Sequence, residues 1–190
     1  MSMLGTVLKA PTAEELIEMP DDGVERDIIR GELREREMTL RNRRHSVVEG
    51  NLVYFLKSWL ESQPLPRGEV PCGEAGFRLR RDPETFVGID LAYVSGDMVT
   101  RCDPNTKFYE GPPVLAIEIL SPSDQHEKIV EKVALYLEVG TAVWVVDPDF
   151  RTVSVHHAGR PVALYNDQQE LPGDPELPGF RVAVSRLFNG

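Results

Sequence analysis

Apolar positions along the chain recur with two periods. Between 42 and 63, Val48, Leu52, Phe55, Leu56, Trp59 and Leu60 fall at helical spacing. They predict one long helix with a broad buried face, closed by Pro64 and Pro66. Upstream, Thr12 and Glu15 form a capping-box pattern that predicts a short helix through Leu16 and Ile17, ending at Pro20. Asp22-Gly23 marks a turn, and 26–33 predicts a strand with Gly31 inside it. Further strands are predicted over 68–71, 74–80 and 87–94, followed by a loop over 102–113. The run Val114-Leu115-Ala116-Ile117-Glu118-Ile119-Leu120 reads as a central strand. Ser121-Pro122-Ser123-Asp124 reads as the entrance to a helix that runs to Val139 and stops at Gly140. A buried strand over 142–146, a turn at Asp147-Pro148-Asp149 and a strand over 153–156 form a predicted hairpin. A Pro- and Gly-rich stretch over 171–179 leads to a last strand over 180–184. This order predicts the α/β class (mixed α+β), with a mixed central sheet flanked by helices, and 1–190 as a single domain.

Composition narrows the function classes. No apolar run approaches the ~20 residues of a membrane helix, and the N-terminus lacks the apolar stretch of a signal peptide. Cys72 and Cys102 are the two cysteines, too few for a disulfide framework or a zinc cluster. Together these features predict a cytoplasmic protein with no membrane association. The net charge of −10, from 21 basic and 31 acidic residues, disfavours generic electrostatic binding to nucleic acid. The arginines between Arg26 and Arg44 leave two readings open, a local basic face or a solvated mixed surface.

Two acids stand out because they interrupt apolar strands. Asp90 shares strand parity with the slim Gly88 and Ala92, and Glu118 shares its parity with Val114, Ala116 and Leu120. An uncompensated buried carboxylate costs several kcal/mol, so it takes a proton, a cationic partner or a metal ion. If the two strands are neighbours, the acids converge, and a hard cation such as Mg2+ suits such a pair. The alternative is a pair of acids at strand ends that meet solvent or cap backbone. On the next helix, Lys132 shares a stripe with Lys128, Leu135, Tyr136 and Val139, while Ile129, Val130, Val133, Ala134 and Leu137 form the expected main core face. Lys132 therefore emerges among apolar neighbours, or pairs with Glu127 or Glu131 on the helix flank.

The spaced set Ile89-Asp90, then Glu118-Ile119-Leu120-Ser121-Pro122-Ser123, then Lys132-Val133-Ala134-Leu135-Tyr136, then Val143-Trp144-Val145-Val146-Asp147-Pro148 resembles the Uma-type bacterial endonucleases of the PD-(D/E)XK restriction-endonuclease-like superfamily. Arg30-Gly31-Glu32-Leu33 with His45, and Leu177-Pro178-Gly179-Phe180 with Leu187-Phe188, extend the resemblance over nearly the whole chain. It implies a restriction-endonuclease-like sheet and a phosphodiesterase centre dependent on Mg2+, with Mn2+ as a substitute. It also implies Asp90 and Glu118 as metal ligands, with the Ile119 carbonyl adding a third oxygen. Leu120 occupies the position where the superfamily pattern has its lysine, and Lys132 on the following helix is the implied replacement. Tyr136, Glu32 and His45 are implied supporting residues. Ile89 stands where a proline is usual, and Lys128 where an acid is frequent. His156 and His157 are adjacent on a strand, so they face opposite ways and do not jointly bind one metal.

Two functions compete on these grounds. One is a metal-dependent endonuclease acting on nucleic acid, DNA in the first place, with Asp90, Glu118 and Lys132 as catalytic residues. The other is a nucleic-acid- or protein-binding module that keeps the fold without the chemistry. The apolar circumference expected for the Lys132 helix further predicts a homodimer.

Overall fold

The computed structural model describes residues 11–37, 42–122 and 125–189. The chain opens with helix α1 (Ala13–Ile17), whose Thr12 and Glu15 close the capping box foreseen in the sequence. Strands β1 (Val24–Ile29) and β2 (Glu32–Glu37) follow as an antiparallel hairpin. The single strand expected over 26–33 is thus two strands. Arg30 and Gly31 both adopt positive φ, 51° and 81°, the backbone that a two-residue hairpin turn demands.

Helix α2 (Arg43–Glu61) is capped by Asn42, whose side chain accepts from the His45 N–H at 2.9 Å. Strands β3 (Cys72–Arg81) and β4 (Glu84–Tyr93) pair antiparallel along most of their length. The strand expected over 68–71 reduces to one bridge, Glu69 to Val94. Helix α3 (Gly96–Arg101) and the two-residue strand β5 (Tyr109–Glu110) occupy a stretch whose later part was expected to be loop; both are too short to leave a periodic signature.

Strand β6 (Leu115–Ile119) leads to helix α4 (His126–Glu138), strand β7 (Ala142–Asp147) and strand β8 (Thr152–His156). Ser123 and Asp124, the second half of the expected helix entrance, lie outside the described residues. Gln125 stands at the α4 N-cap and makes no side-chain cap bond. Gly140 ends the helix region with φ 85°, as its position predicted. Strand β9 (Ala163–Asn166) extends the sheet, while β10 (Glu170–Pro172) and β11 (Arg181–Ala183) form a separate small pair before helix α5 (Ser185–Phe188).

The large sheet runs β2-β1-β4-β6-β7-β8-β9, with β3 beside β4 and β5 beside β3. It is mixed: β6 and β7 are parallel, joined through α4, whereas β4 and β6 are antiparallel. One face packs Leu91, Leu115, Ile117, Trp144 and Val146 against Val48, Leu52, Leu56 and Trp59 of α2. The other packs Val87, Ile89, Ala92, Ala116 and Val143 against Val133 and Tyr136 of α4. Each such apolar side chain contributes roughly 1.5–3 kcal/mol by leaving water. Among the described residues, no helix is long and apolar enough to cross a membrane.

The edge of β4 decides where a site can form. Phe86 faces Arg78 of β3 on one side and Ile28 of β1 on the other; Leu91 faces Cys72 of β3 and Ile117 of β6. Strands β1 and β6 therefore share one edge of β4 and diverge from it around Gly88 to Asp90. Core membership also changes phase here. Val87 and Ile89 pack toward α4, as do Ala92 and Val94, whereas Leu91 packs toward α2. The strict alternation expected through Asp90 is broken at Asp90 itself.

Candidate active site

The polar groups exposed by this divergence are taken up by side chains. Asp90 lies in the gap between β4 and β6, where its Oδ2 accepts from the Ile119 N–H at 2.8 Å. Within a strand, a residue's N–H and C=O share an edge, so the Ile119 carbonyl faces the same gap. Its Leu120 neighbour donates to Val146 on the β7 side, consistent with that alternation. Asp90 Oδ1 lies 3.4 Å from His45 Nε2. His45 is buried near the start of α2, and neither of its ring nitrogens has a hydrogen-bond partner of good geometry.

Glu118 projects from β6 toward α4. Its Oε1 accepts from the Tyr136 hydroxyl at 2.6 Å, and the Lys132 ammonium stands 3.3 and 3.4 Å from its two oxygens. Lys132 also donates to the Gly88 carbonyl at 2.9 Å. Asp90, Glu118 and Lys132 expose only 5%, 5% and 6% of their surface. Lys132 thus pairs with neither Glu127 nor Glu131, its expected alternatives on the helix.

The α4 face differs from the expected one. Lys132, Val133, Leu135 and Tyr136 are buried, while Val130 and Ala134 are exposed. Residues i and i+4 share a helix face, and Lys132 and Tyr136 both reach Glu118, so the helix is turned to bring that pair onto the sheet.

Burial shifts the protonation of this group. Desolvation raises the Glu118 carboxyl above its ordinary 4.5, helped by Asp90 and Asp27 and opposed by Lys132 and the Tyr136 hydrogen bond. Desolvation works against the Lys132 charge, but Glu118 and Asp27 outweigh it and hold the ammonium above its ordinary range. Burial, then the Glu118 charge, keeps the Tyr136 phenol protonated far past its usual range, so it serves as a donor.

A cleft of about 790 Å3 opens over these residues. Asp90, Glu118 and Lys132 line it together with Asp27, Arg36 and Glu37 from the β1–β2 hairpin, and Lys128 and Glu131 from α4. The expected supporting residues divide. Tyr136 and His45 contact the acids, whereas Glu32 pairs with Arg34 at 2.8 Å and is not among the residues that line the cleft. His156 and His157 turn to Ser154 and Glu176 respectively, as separate partners. Sequence reasoning missed Asp27, whose Oδ1 accepts from the Gly88 N–H at 3.0 Å. It lies among alternating charges, Glu25-Arg26-Asp27, that resemble an ordinary solvated strand.

The acceptor oxygens that line the cleft beside Lys132 are hard carboxylates, those of Asp90 and Glu118 among them. Among the described residues, no group of three or more His, Cys, Asp and Glu side chains is arranged to hold an ion. That chemistry fits Mg2+, which binds through one or two carboxylates and keeps several waters, and does not fit a closed zinc centre.

The fold and the site together define a class in which a diverging mixed sheet brings two acids and a lysine to one cleft. The Uma2 family model, described as "Putative restriction endonuclease", matches residues 13–185, and the chain belongs to that family of nuclease-like proteins. A crystal structure of a putative nuclease belonging to DUF820 from Anabaena variabilis is similar in fold, with a TM-score of 0.76 at 19% identity. The superposition covers 94% of this chain and 97% of that one. No curated protein matches the chain.

Proposed function

We propose that the protein is a Mg2+-dependent nuclease that hydrolyses phosphodiester bonds in DNA, with Mn2+ able to substitute. The observation that carries this reading is the meeting of Glu118 with the Lys132 ammonium at 3.3 Å in the cleft that Asp90 also lines. Asp90, Glu118 and the Ile119 carbonyl are the oxygens that would hold the ion. A bound Mg2+ supplies Lewis-acid polarisation of a phosphoryl oxygen and a more acidic water.

The remaining steps belong to the chain. Asp90 is kept in place by the Ile119 N–H on one oxygen, and the His45 ring lies beside the other. Tyr136 fixes the rotamer of Glu118 by donating to Oε1. Lys132, held protonated by its acidic neighbours, presents a cation to the charge that grows on the phosphate oxygens as the bond breaks. Low water access strengthens that attraction relative to bulk solvent.

A second reading, a binding module without catalysis, has one observation in its favour. Arg26, Arg30, Arg34, Arg36 and Arg44 each pair with a carboxylate, so this arginine-rich stretch is largely neutralised. A plasmid-nicking and single-strand cleavage assay with Mg2+ separates the two. Wild type is expected to cleave, Asp90→Asn and Glu118→Gln to fall to background, and Lys132→Ala to lose about 10²–10³-fold in rate. Undiminished cleavage by Lys132→Ala would remove the lysine from the mechanism; a wild type that does not cut nucleic acid with either Mg2+ or Mn2+ favours the module.

A further inference from the structure

The Gly88 segment of β4 is held by side chains where a strand neighbour would ordinarily hold it. On the shared edge, the β1 ladder reaches β4 at Ile28–Phe86 and the β6 ladder begins at Leu91–Ile117. Between them, the Gly88 N–H and C=O need other partners, because buried backbone groups left unpaired are costly. Asp27 takes the N–H at 3.0 Å and Lys132 takes the C=O at 2.9 Å. Asp27 and Lys132 are thus joined through one residue that has no side chain of its own.

We propose that Asp27 is a positioning residue for Lys132: by anchoring the Gly88 N–H, it fixes the Gly88 carbonyl against which the ammonium is aimed at Glu118. The lysine side chain has four rotatable methylenes, and a charge that must act at one point needs more than one fixed contact. Lys132 has two such contacts, Glu118 and the Gly88 carbonyl. The first is a candidate metal ligand and would be shared with the ion when one is bound. The second is independent of the ion, and Asp27 secures it. Asp27 also lines the cleft, so its own negative charge favours the protonated amine.

The proposal rests on the reading of Lys132 as the group that stabilises phosphate charge, yet its test does not require activity. Amine-reactive labelling of the full chain, read at Lys132 by mass spectrometry, reports whether the ammonium is held. In Asp27→Ala, labelling of Lys132 is expected to rise about tenfold over wild type, the equivalent of one lost hydrogen bond. Asp27→Asn keeps an oxygen that accepts from Gly88 and is expected to stay within about threefold. Circular dichroism and melting temperature identify any variant that fails to fold, and Asp27→Val, which has no acceptor, is the replacement if Asp27→Ala does. Equal protection of Lys132 in wild type and the folded Ala or Val variant would overturn the proposal. So would an Asn variant that labels as fast as the Ala variant, since charge and not the Gly88 anchor would then hold the lysine. Labelling that responds as expected in a protein with no cleavage activity upholds the positioning role and rejects the nuclease reading alone.

Discussion

Glu118 carries contacts that pull in different directions. Its burial favours the neutral acid, while Lys132 and Tyr136 favour the carboxylate. The Tyr136 hydroxyl is the contact that can be removed most cleanly, because phenylalanine keeps the ring in a fully buried position. Tyr136→Phe is expected to cost about 1 kcal/mol in a urea melt, the ordinary value of one buried hydrogen bond. The same variant is expected to weaken Mn2+ binding about tenfold by calorimetry, as loss of a group that orients a ligand does. Unchanged affinity would show that Glu118 needs no such support. At this scale, Asp90 and Glu118 stood out in the sequence because each is a charge within an apolar run, where a charge requires a reason; Lys132 was singled out by the family resemblance, since the helix pattern alone equally allowed a pair with Glu127 or Glu131. Asp27 was not, because a charge among charges in β1 carries no such signal. The approach of His45 to Asp90 was also hidden, since it joins α2 to β4 and no local pattern reports a contact between distant elements.

Among the elements, α1 packs Ala13 and Leu16 against Ile28, Phe86 and Phe108, and charge ties it to the sheet as well. Arg78 of β3 is 3% exposed and binds Glu14 of α1, Glu84 of β4 at 3.0 Å and Glu110 of β5 at 2.5 Å. The Arg78 hydrogen bond holds the Glu14 carboxyl down from its ordinary 4.5 to about 2. A folded value below the unfolded one stabilises the fold above pH 4.5, and that contribution is lost as pH falls through about 2. Since the Glu14 side chain is 60% exposed, solvent screening limits the effect to about 1 kcal/mol or less. Melting curves between pH 5 and 2 are expected to show Glu14→Gln flatter than wild type, with the two converging at the acid end. Parallel curves would exclude this link. The long elements were legible: α2 from its apolar spacing and the prolines that close it, β6 from its branched apolar run. The short ones were not, because α3, β5 and β9 are set by tertiary contacts and contain too few residues for a period. The β1–β2 hairpin escaped because its turn uses Arg30 in a left-handed backbone that asparagine or glycine normally occupies.

For the whole molecule, the topology of β4 is what creates the site. One strand edge shared by β1 and β6 leaves a gap, and acids from both sides of that gap supply the missing backbone partners: Asp27 for Gly88 and Asp90 for Ile119. The architecture, a mixed sheet between helices, was legible from the order of elements. The gap was not, since it depends on where two ladders end and not on the composition of any strand. The cleft is lined by Asp27, Asp90 and Glu118, the charge that the proposed divalent cation would meet. The most direct measurement is anomalous diffraction from crystals soaked in Mn2+. A single peak within bonding distance of both the Asp90 and Glu118 carboxylates, absent from Asp90→Asn, is the expected result. No peak in the cleft, or a peak that survives unchanged in Asp90→Asn, would contradict the account.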